Sequence, residues 1–359
     1  MTDKTHRFPC PGCAADLEFD PRAGALTCPY CGRQEAIPQS VEEVVEKSYE
    51  EYLEVHGSQL RVIAPGALEV ACEGCGARVT FTPPEVSATC PFCGRQRVSQ
   101  AKSADPLVAP QGLLPFQIAL EAARGAIKQW LGGLWFAPSA LKHIARQDSL
   151  GGVYLPFWTF DAHTTSHYTG ERGDHYYVTE TYREGGVTKT RQVQKTRWSP
   201  ARGTVSRWHD DVLVAATRAV TPARLSSLAP WDLPSVRAYD PAFLAGYRAQ
   251  RYQLELPEAF EQGKVTMDEV IREDVETDIG GDEQRIDRLA TSYSGVSFKH
   301  LLLPVYLGAY TFQGTAYQVL VNARTGQVQG DRPYSLWKIA FLVLAILMIL
   351  AVVVMISDK

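Results

Sequence analysis

The chain has 359 residues and 39.7 kDa, 45% hydrophobic and 21% charged, which excludes a disordered, collagenous or disulfide-dense peptide and leaves room for two or three domains. Its 36 Lys and Arg stand against 40 Asp and Glu, a formal charge of −4, so the molecule lacks the basic excess of a protein that coats nucleic acid. The opening MTDKTHRFPC contains no apolar run of signal-peptide length, which places the bulk of the chain on the cytoplasmic side of any membrane.

All eight cysteines fall in four C-x-x-C pairs, Cys10/Cys13, Cys28/Cys31, Cys72/Cys75 and Cys90/Cys93. Both blocks have the spacing C-x2-C-x14-C-x2-C, and CPYCGRQ (Cys28 to Gln34) returns as CPFCGRQ (Cys90 to Gln96), which points to an internal duplication. Two thiolates two residues apart share one tight turn, and two such turns close a tetrahedral site around Zn2+ with no open position for substrate. The reading is two structural Zn2+ ions in two zinc ribbons, over residues 1–38 and 59–104. A ribbon of some 30 residues buries too little to fold alone, so metal binding, on the order of 10–16 kcal/mol per site, supplies its folding energy. Disulfides or a redox pair are the competing readings.

Between the blocks, residues 39–58 predict a linker helix. Ser40 and Glu43 form a capping box, Val41, Val44, Val45, Tyr49, Tyr52 and Leu53 share one face, and the other face is rich in Glu. That acidic face is either a solvated surface or a dock for a basic partner. Residues 1–104 carry ten Lys and Arg against fourteen Asp and Glu, a sign that repels phosphate, whereas Arg33, Arg95 and Arg97 after the knuckles leave a local basic patch open.

Residues 105–335 read as a mixed helix and antiparallel-sheet domain. Helices are predicted over 117–131, 137–146, 241–253 and 257–277. Strands are predicted over 153–168, 175–183, 187–198, 205–215, 297–312 and 315–321, with turns at Glu184-Gly185-Gly186 and Gln313-Gly314. VYLPFWTF (Val153 to Phe160) recurs as VYLGAYTF (Val305 to Phe312), which suggests pseudo-symmetry or two half-domains on one sheet. Strand alternation puts Lys189, Arg191, Lys195 and Arg197 on one face, a solvated ribbon or a contact for anionic lipid headgroups.

Catalytic patterns are sparse. His163 and His167 lie about 13 Å apart along a strand, too far to share an ion. His209-Asp210-Asp211 invites a metal or acid–base role, but strand neighbours point to opposite faces. Asp278 to Arg285, with Gly280 and Gly281, is a helix–strand turn or a ligand loop. The sequence has no phosphate-binding loop, nucleophile elbow or H-E-x-x-H, so the expectation is a protein that is not an enzyme.

The chain ends in 18 consecutive apolar residues, Ile339 to Ile356, roughly 27 Å of helix. Residues 336–356 are therefore expected to form a single transmembrane helix, flanked by Arg332, Trp337 and Lys338, with a buried core helix as the competing reading. The fold class expected is thus α+β: two ribbons, a mixed central domain and one C-terminal span. The localisation expected is the cytoplasmic (inner) membrane, single-pass, with the N-terminal bulk in the cytoplasm.

From the CPxCG knuckles through YLPFWTFDA (Tyr154 to Ala162), PWDL (Pro230 to Leu233), DIGGDEQRI (Asp278 to Ile286), FKHLLLPVYL (Phe298 to Leu307) and YQVLVNARTGQVQGDRPYS (Tyr317 to Ser335), the chain resembles bacterial membrane-anchored double-zinc-ribbon proteins. These are often labelled primosomal protein N′ (replication factor Y) or superfamily II helicase-like, and the label implies DNA binding in replication. The architecture is also similar to zinc-ribbon membrane adaptors that recruit a phage shock protein A homologue and an SPFH protein. That resemblance implies an adaptor for protein partners in membrane stress, with the eight cysteines as its binding residues.

Overall fold

The computed structural model of the chain describes residues 8–38, 44–55, 68–71, 78–81, 102–103, 108–138, 150–313 and 315–357. The first block folds on its own small sheet of β1 (Glu18–Asp20), β2 (Ala25–Thr27) and β3 (Gln34–Glu35) in sequential order. The following segment contributes β4 (Lys47–Ser48) and α1 (Tyr49–Val55). The expected linker helix is thus a strand and seven helical residues, and its predicted cap at Ser40 and Glu43 lies outside the described residues. The second block contributes β5 (Leu68–Ala71), β6 (Arg78–Phe81) and β7 (Lys102–Ser103).

Next come β8 (Gly112–Leu113) and α2 (Leu120–Gly133), then three strands of unusual length: β9 (Gly151–Glu184), β10 (Val187–Ala215) and, further along the chain, β13 (Glu283–Phe312). Between β10 and β13 lie α3 (Pro222–Ser226), β11 (Arg237–Ala238), β12 (Arg248–Gln250) and α4 (Leu256–Ile279). β14 (Thr315–Asn322), β15 (Val328–Gly330) and α5 (Leu336–Ser357) complete the chain.

β4 to β15 form one twelve-stranded sheet, curled into a half-barrel. β9 is its spine, antiparallel to β10 on one side and to β13 on the other, while β12 on β9 and β8 on β13 are parallel. Strand outweighs helix, 44% to 27%, so the expected α+β class with a membrane helix gives way to a mostly antiparallel sheet. The two related octets meet on neighbouring strands, where Val153 faces Val305.

Apolar side chains on both sheet faces build the core. Trp158, Tyr154, Tyr306, Phe116, Phe160 and Phe298 are all fully buried, and aromatic rings of this size dominate burial energy. Their polar atoms are matched: Trp158 Nε1 donates to the Leu254 carbonyl at 2.9 Å, and Tyr306 Oη to that of Ile118 at 2.7 Å. α4 lies across β9 and β10 with Phe260, Met267, Ile271, Val275 and Ile279 inward. Gly263 permits the close approach, since a Cβ there would stand 3.3 Å from the Phe160 ring. The helix predicted over 241–253 is instead a 3-10 turn, Pro241–Leu244, followed by β12, because Gly246 at φ +82° turns the chain out of helical geometry. Most of the helix predicted over 137–146 lies outside the described residues.

The single-pass topology in the inner membrane is overturned: among the described residues no helix is long and apolar enough to cross a membrane. α5 exposes apolar side chains such as Phe341 and Ile349, but its first turn is tied to the body of the protein. Lys338 Nζ donates to the carbonyls of Trp135 at 3.0 Å and Ala137 at 2.8 Å.

Candidate metal centre

Each half-site of the first block is one tight turn. Cys10 accepts from the Gly12 N–H at 3.4 Å, and its carbonyl accepts from the Ala14 N–H at 2.8 Å. The second turn repeats the closure, Gly32 N–H to the Cys28 carbonyl at 3.0 Å. Gly32 sits at φ +72° and Ala14 at φ +59°, so the first turn places a side chain where its counterpart uses glycine. β1 and β2 carry the chain from one turn to the other, with Leu17, Phe19 and Leu26 buried beneath.

The fold brings all four sulfurs of Cys10, Cys13, Cys28 and Cys31 within 4.8 Å of one another, so these residues could hold one metal ion. Cys10 Sγ lies 3.5 Å from Cys31 Sγ, and Cys13 Sγ 3.5 Å from Cys28 Sγ. A tetrahedral Zn–S4 unit with bonds of about 2.3 Å has edges near 3.8 Å, so the donor set and its size fit that ion. The four thiols divide: N–H groups of Cys31 and then Tyr30 draw Cys28 down to about 6 against the opposing effect of burial, and the Gly12 N–H lowers Cys10. At Cys13 and Cys31 the N–H groups of Ala15 and Arg33 are outweighed by the neighbouring sulfurs, which raise both. Cys10 and Cys28 are buried, Cys13 and Cys31 exposed. Cys72, Cys75, Cys90 and Cys93 lie outside the described residues.

The centre is docked on the large sheet. Phe19 meets Phe243 edge-on at 5.2 Å, its N–H donates to the Ala245 carbonyl at 3.0 Å, and Gly246 packs under Glu18. Arg33, the first cation after the knuckles, is engaged by Glu35 at 3.0 Å.

The other sequence candidates are dispersed. His163 and His167 are exposed, and His167 Nδ1 lies 2.8 Å from Thr204 Oγ1. His209 is buried beside Thr164 at 3.2 Å, and burial lowers its pKa, while Asp210 points to solvent. Gly280 and Gly281, at φ +65° and +81°, turn α4 into β13. Asp282 there accepts from the His175 N–H at 2.6 Å, and Glu283 meets His175 Nε2 at 2.7 Å. His300 is fully buried against Trp158 and faces the Val108 carbonyl at 2.9 Å, and burial holds it neutral with a pKa of about 4.

One cluster escaped the sequence. Lys299 Nζ on β13 bridges Glu46 Oε1 at 2.9 Å and Asp211 Oδ1 at 2.7 Å, Ser297 Oγ donates to Glu46 at 2.6 Å, and the Asp211 N–H donates to Asp161 at 2.6 Å. Asp211, at φ +49°, sits in the bulge that shifts β10 between His209 and Val212. The group ties the strap Val44–Val55, which leads away from the metal centre, to the spine of the sheet. Its only signal in the sequence is a Lys inside the apolar run FKHLLLPVY.

No family model matches this chain, and no solved structure matches it. A curated protein, the uncharacterized protein YdjG of Bacillus subtilis (strain 168), is 26% identical over 345 residues, covering 93% of this chain and 92% of that one. The likeness therefore extends over most of the length of both chains.

Proposed function

We propose that the chain is a non-enzymatic zinc-ribbon adaptor. Cys10, Cys13, Cys28 and Cys31 hold one Zn2+, Cys72, Cys75, Cys90 and Cys93 a second, and the ordered ribbons present surfaces to protein partners. The single observation that carries this reading is the closed set of four sulfurs: a tetrahedral ion with four protein thiolates has no position for water or substrate, so it orders the chain and activates nothing. Partners of the phage shock protein A and SPFH kinds are the ones the resemblance in sequence suggests. Nucleic acid is disfavoured at the first ribbon, where Glu35 occupies Arg33 and the module is acidic.

The test combines metal analysis with capture. Purified chain should carry two zinc ions, and crosslinking in cells should recover a coiled-coil or SPFH-type protein from the wild type but not from a Cys10→Ser/Cys28→Ser variant. Recovery of replication proteins or DNA by the wild type would overturn the adaptor reading. One ion per chain would remove the second site while leaving the first.

A further inference from the structure

β13 accompanies β9 only as far as the Glu283–Gly173 pair. Beyond it, among the described residues, Asp174 to Glu184 pairs with Val187 to Arg197 alone, a two-stranded arm of about 35 Å closed by Gly185 and Gly186 at φ +61° and +80°. Such a ribbon has no core of its own. One of its faces continues the sheet face on which α4 lies. On β9, Tyr168 donates to Asp278 of α4 at 2.6 Å, and Tyr176, Val178, Glu180 and Tyr182 follow at even spacing. On β10, Arg207 pairs with Asp274 of α4, and Arg197, Lys195, Val193, Arg191 and Lys189 follow at even spacing with no bulge between.

That face is net cationic around an apolar centre: Lys189, Arg191, Lys195 and Arg197 outnumber Glu180 and Asp174, the latter opposite Arg197 and paired with Arg172 at 3.0 Å. Val193 sits opposite Val178, with Lys195 and Arg197 on one side and Arg191 and Lys189 on the other. Glu180 meets Arg191 at 3.3 Å and Lys195 at 3.2 Å, and the guanidiniums of Arg191 and Arg197 cover the rings of Tyr182 and Tyr176. The cations span about 26 Å from Lys189 to Arg197.

α4 carries the complement on the side turned away from the sheet. Glu258, Glu261, Val265, Glu269, Glu273 and Glu276 fall on one stripe opposite the buried face, about 27 Å long, and Val265 is 64% exposed. Glu258 and Glu261 pair with Arg218 and Lys264, and Arg272 at the stripe's edge pairs with Asp268. Glu269, Glu273 and Glu276 have no ion-pair partner among the described residues. Each stripe therefore has a valine flanked by charges, at steps of about 4.5–6 Å on the helix and about 6.6 Å on the strand, with opposite signs.

The helix also ends where the arm begins, since the Asp282 N–H donates to the Gly173 carbonyl at 2.8 Å. Among the described residues no helix or strand covers the arm's α4-side face, which lies below a step of about 10 Å, one helix diameter. The geometry points to a second copy of this chain as the occupant: the acidic stripe of α4 from one molecule fills the step over the cationic arm of another, and a two-fold axis near the arm base makes the contact reciprocal. The contact is independent of the metal centre. Mostly polar, it weakens as salt rises.

The test uses the full-length chain. Equal amounts of unlabelled and nitrogen-15 chain are mixed at low salt and treated with a zero-length carbodiimide. Expected are mixed-isotope links from Lys189 and Lys195 to the glutamates of α4, falling at least about tenfold at 0.5 M salt. Glu269→Lys/Glu273→Lys should lose the remaining interchain links to Glu261 and Glu276, Lys195→Glu/Arg197→Glu should lose links from Lys189, and a mixture of the two variants should recover them. Links confined to single chains, links that survive the reversals, or arm lysines shielded only by an added oligonucleotide would each overturn the proposal.

Discussion

Among single residues, Asp161 has the most unusual environment. Burial, and then the hydrogen bond to the neighbouring Glu46 carboxylate, push it up to about 7 from an ordinary 3.8. Burial works against Glu46, but hydrogen bonds from Asp161, Ser297 and Lys299 hold it at about 2. The two carboxyls therefore act in opposite directions. Folded Asp161 keeps a proton that the unfolded chain releases above about pH 4, so its contribution to stability falls as pH rises from 4 to 7. Folded Glu46 stays ionised where the unfolded chain would take up a proton, so its contribution is lost as pH falls from about 4.5 to 2. Denaturation midpoints should accordingly be highest near pH 4–5 and fall as pH rises toward 7.5, whereas Asp161→Asn should flatten that fall. An equally steep fall in the variant would place the titrating group elsewhere. Trp158→Ala, which empties the fully buried indole site and frees the Leu254 carbonyl, should lower stability by about 3–5 kcal/mol in urea unfolding.

Within the strands, two glycines mark how far sequence reasoning reaches. Gly170 and Gly173 fall in the gap between the strands predicted over 153–168 and 175–183, yet β9 runs through both. The glycines serve close approach: a Cβ on Gly170 would lie 2.1 Å from the Arg285 carbonyl on β13, and one on Gly173 would lie 2.7 Å from Thr196 on β10. Pro200 and Gly203 likewise hid the continuity of β10, which pairs only with β9 among the described residues and so tolerates a proline. Alternation, the Gly185-Gly186 turn and the amphipathic face of α4 are local properties, and they were legible. Gly170→Ala should force β9 from β13 and lower the melting temperature by several degrees, while Gly186→Ala should loosen only the arm, by about 1 kcal/mol, seen as faster amide exchange over residues 174–197 with the core unchanged. The C-terminal run was read from hydropathy alone, which carries no information on the contacts Lys338 makes with the loop after α2.

Across the molecule, the four cysteines of the first centre were legible because their spacing is itself the site. Glu46, Asp161, Asp211 and Lys299 were not, because they meet only once β4, β9, β10 and β13 are assembled. Since the first centre has its own three-stranded sheet, removal of metal should act locally. Excess chelator should make residues 8–38 sensitive to protease and uncover Phe243, while far-ultraviolet circular dichroism of the large sheet persists. Collapse of the whole spectrum would show that the ribbon supports the sheet. The spine has a further consequence for synthesis. β9 meets β10 almost at once, but its other neighbour begins at Glu283, about a hundred residues downstream, so on the ribosome one edge of the spine stays bare for roughly 5–20 seconds at ordinary elongation rates. During that interval the nascent hairpin offers an unpaired template to any extended chain nearby, and a chaperone that caps it should raise the yield of native protein more than one that acts after release.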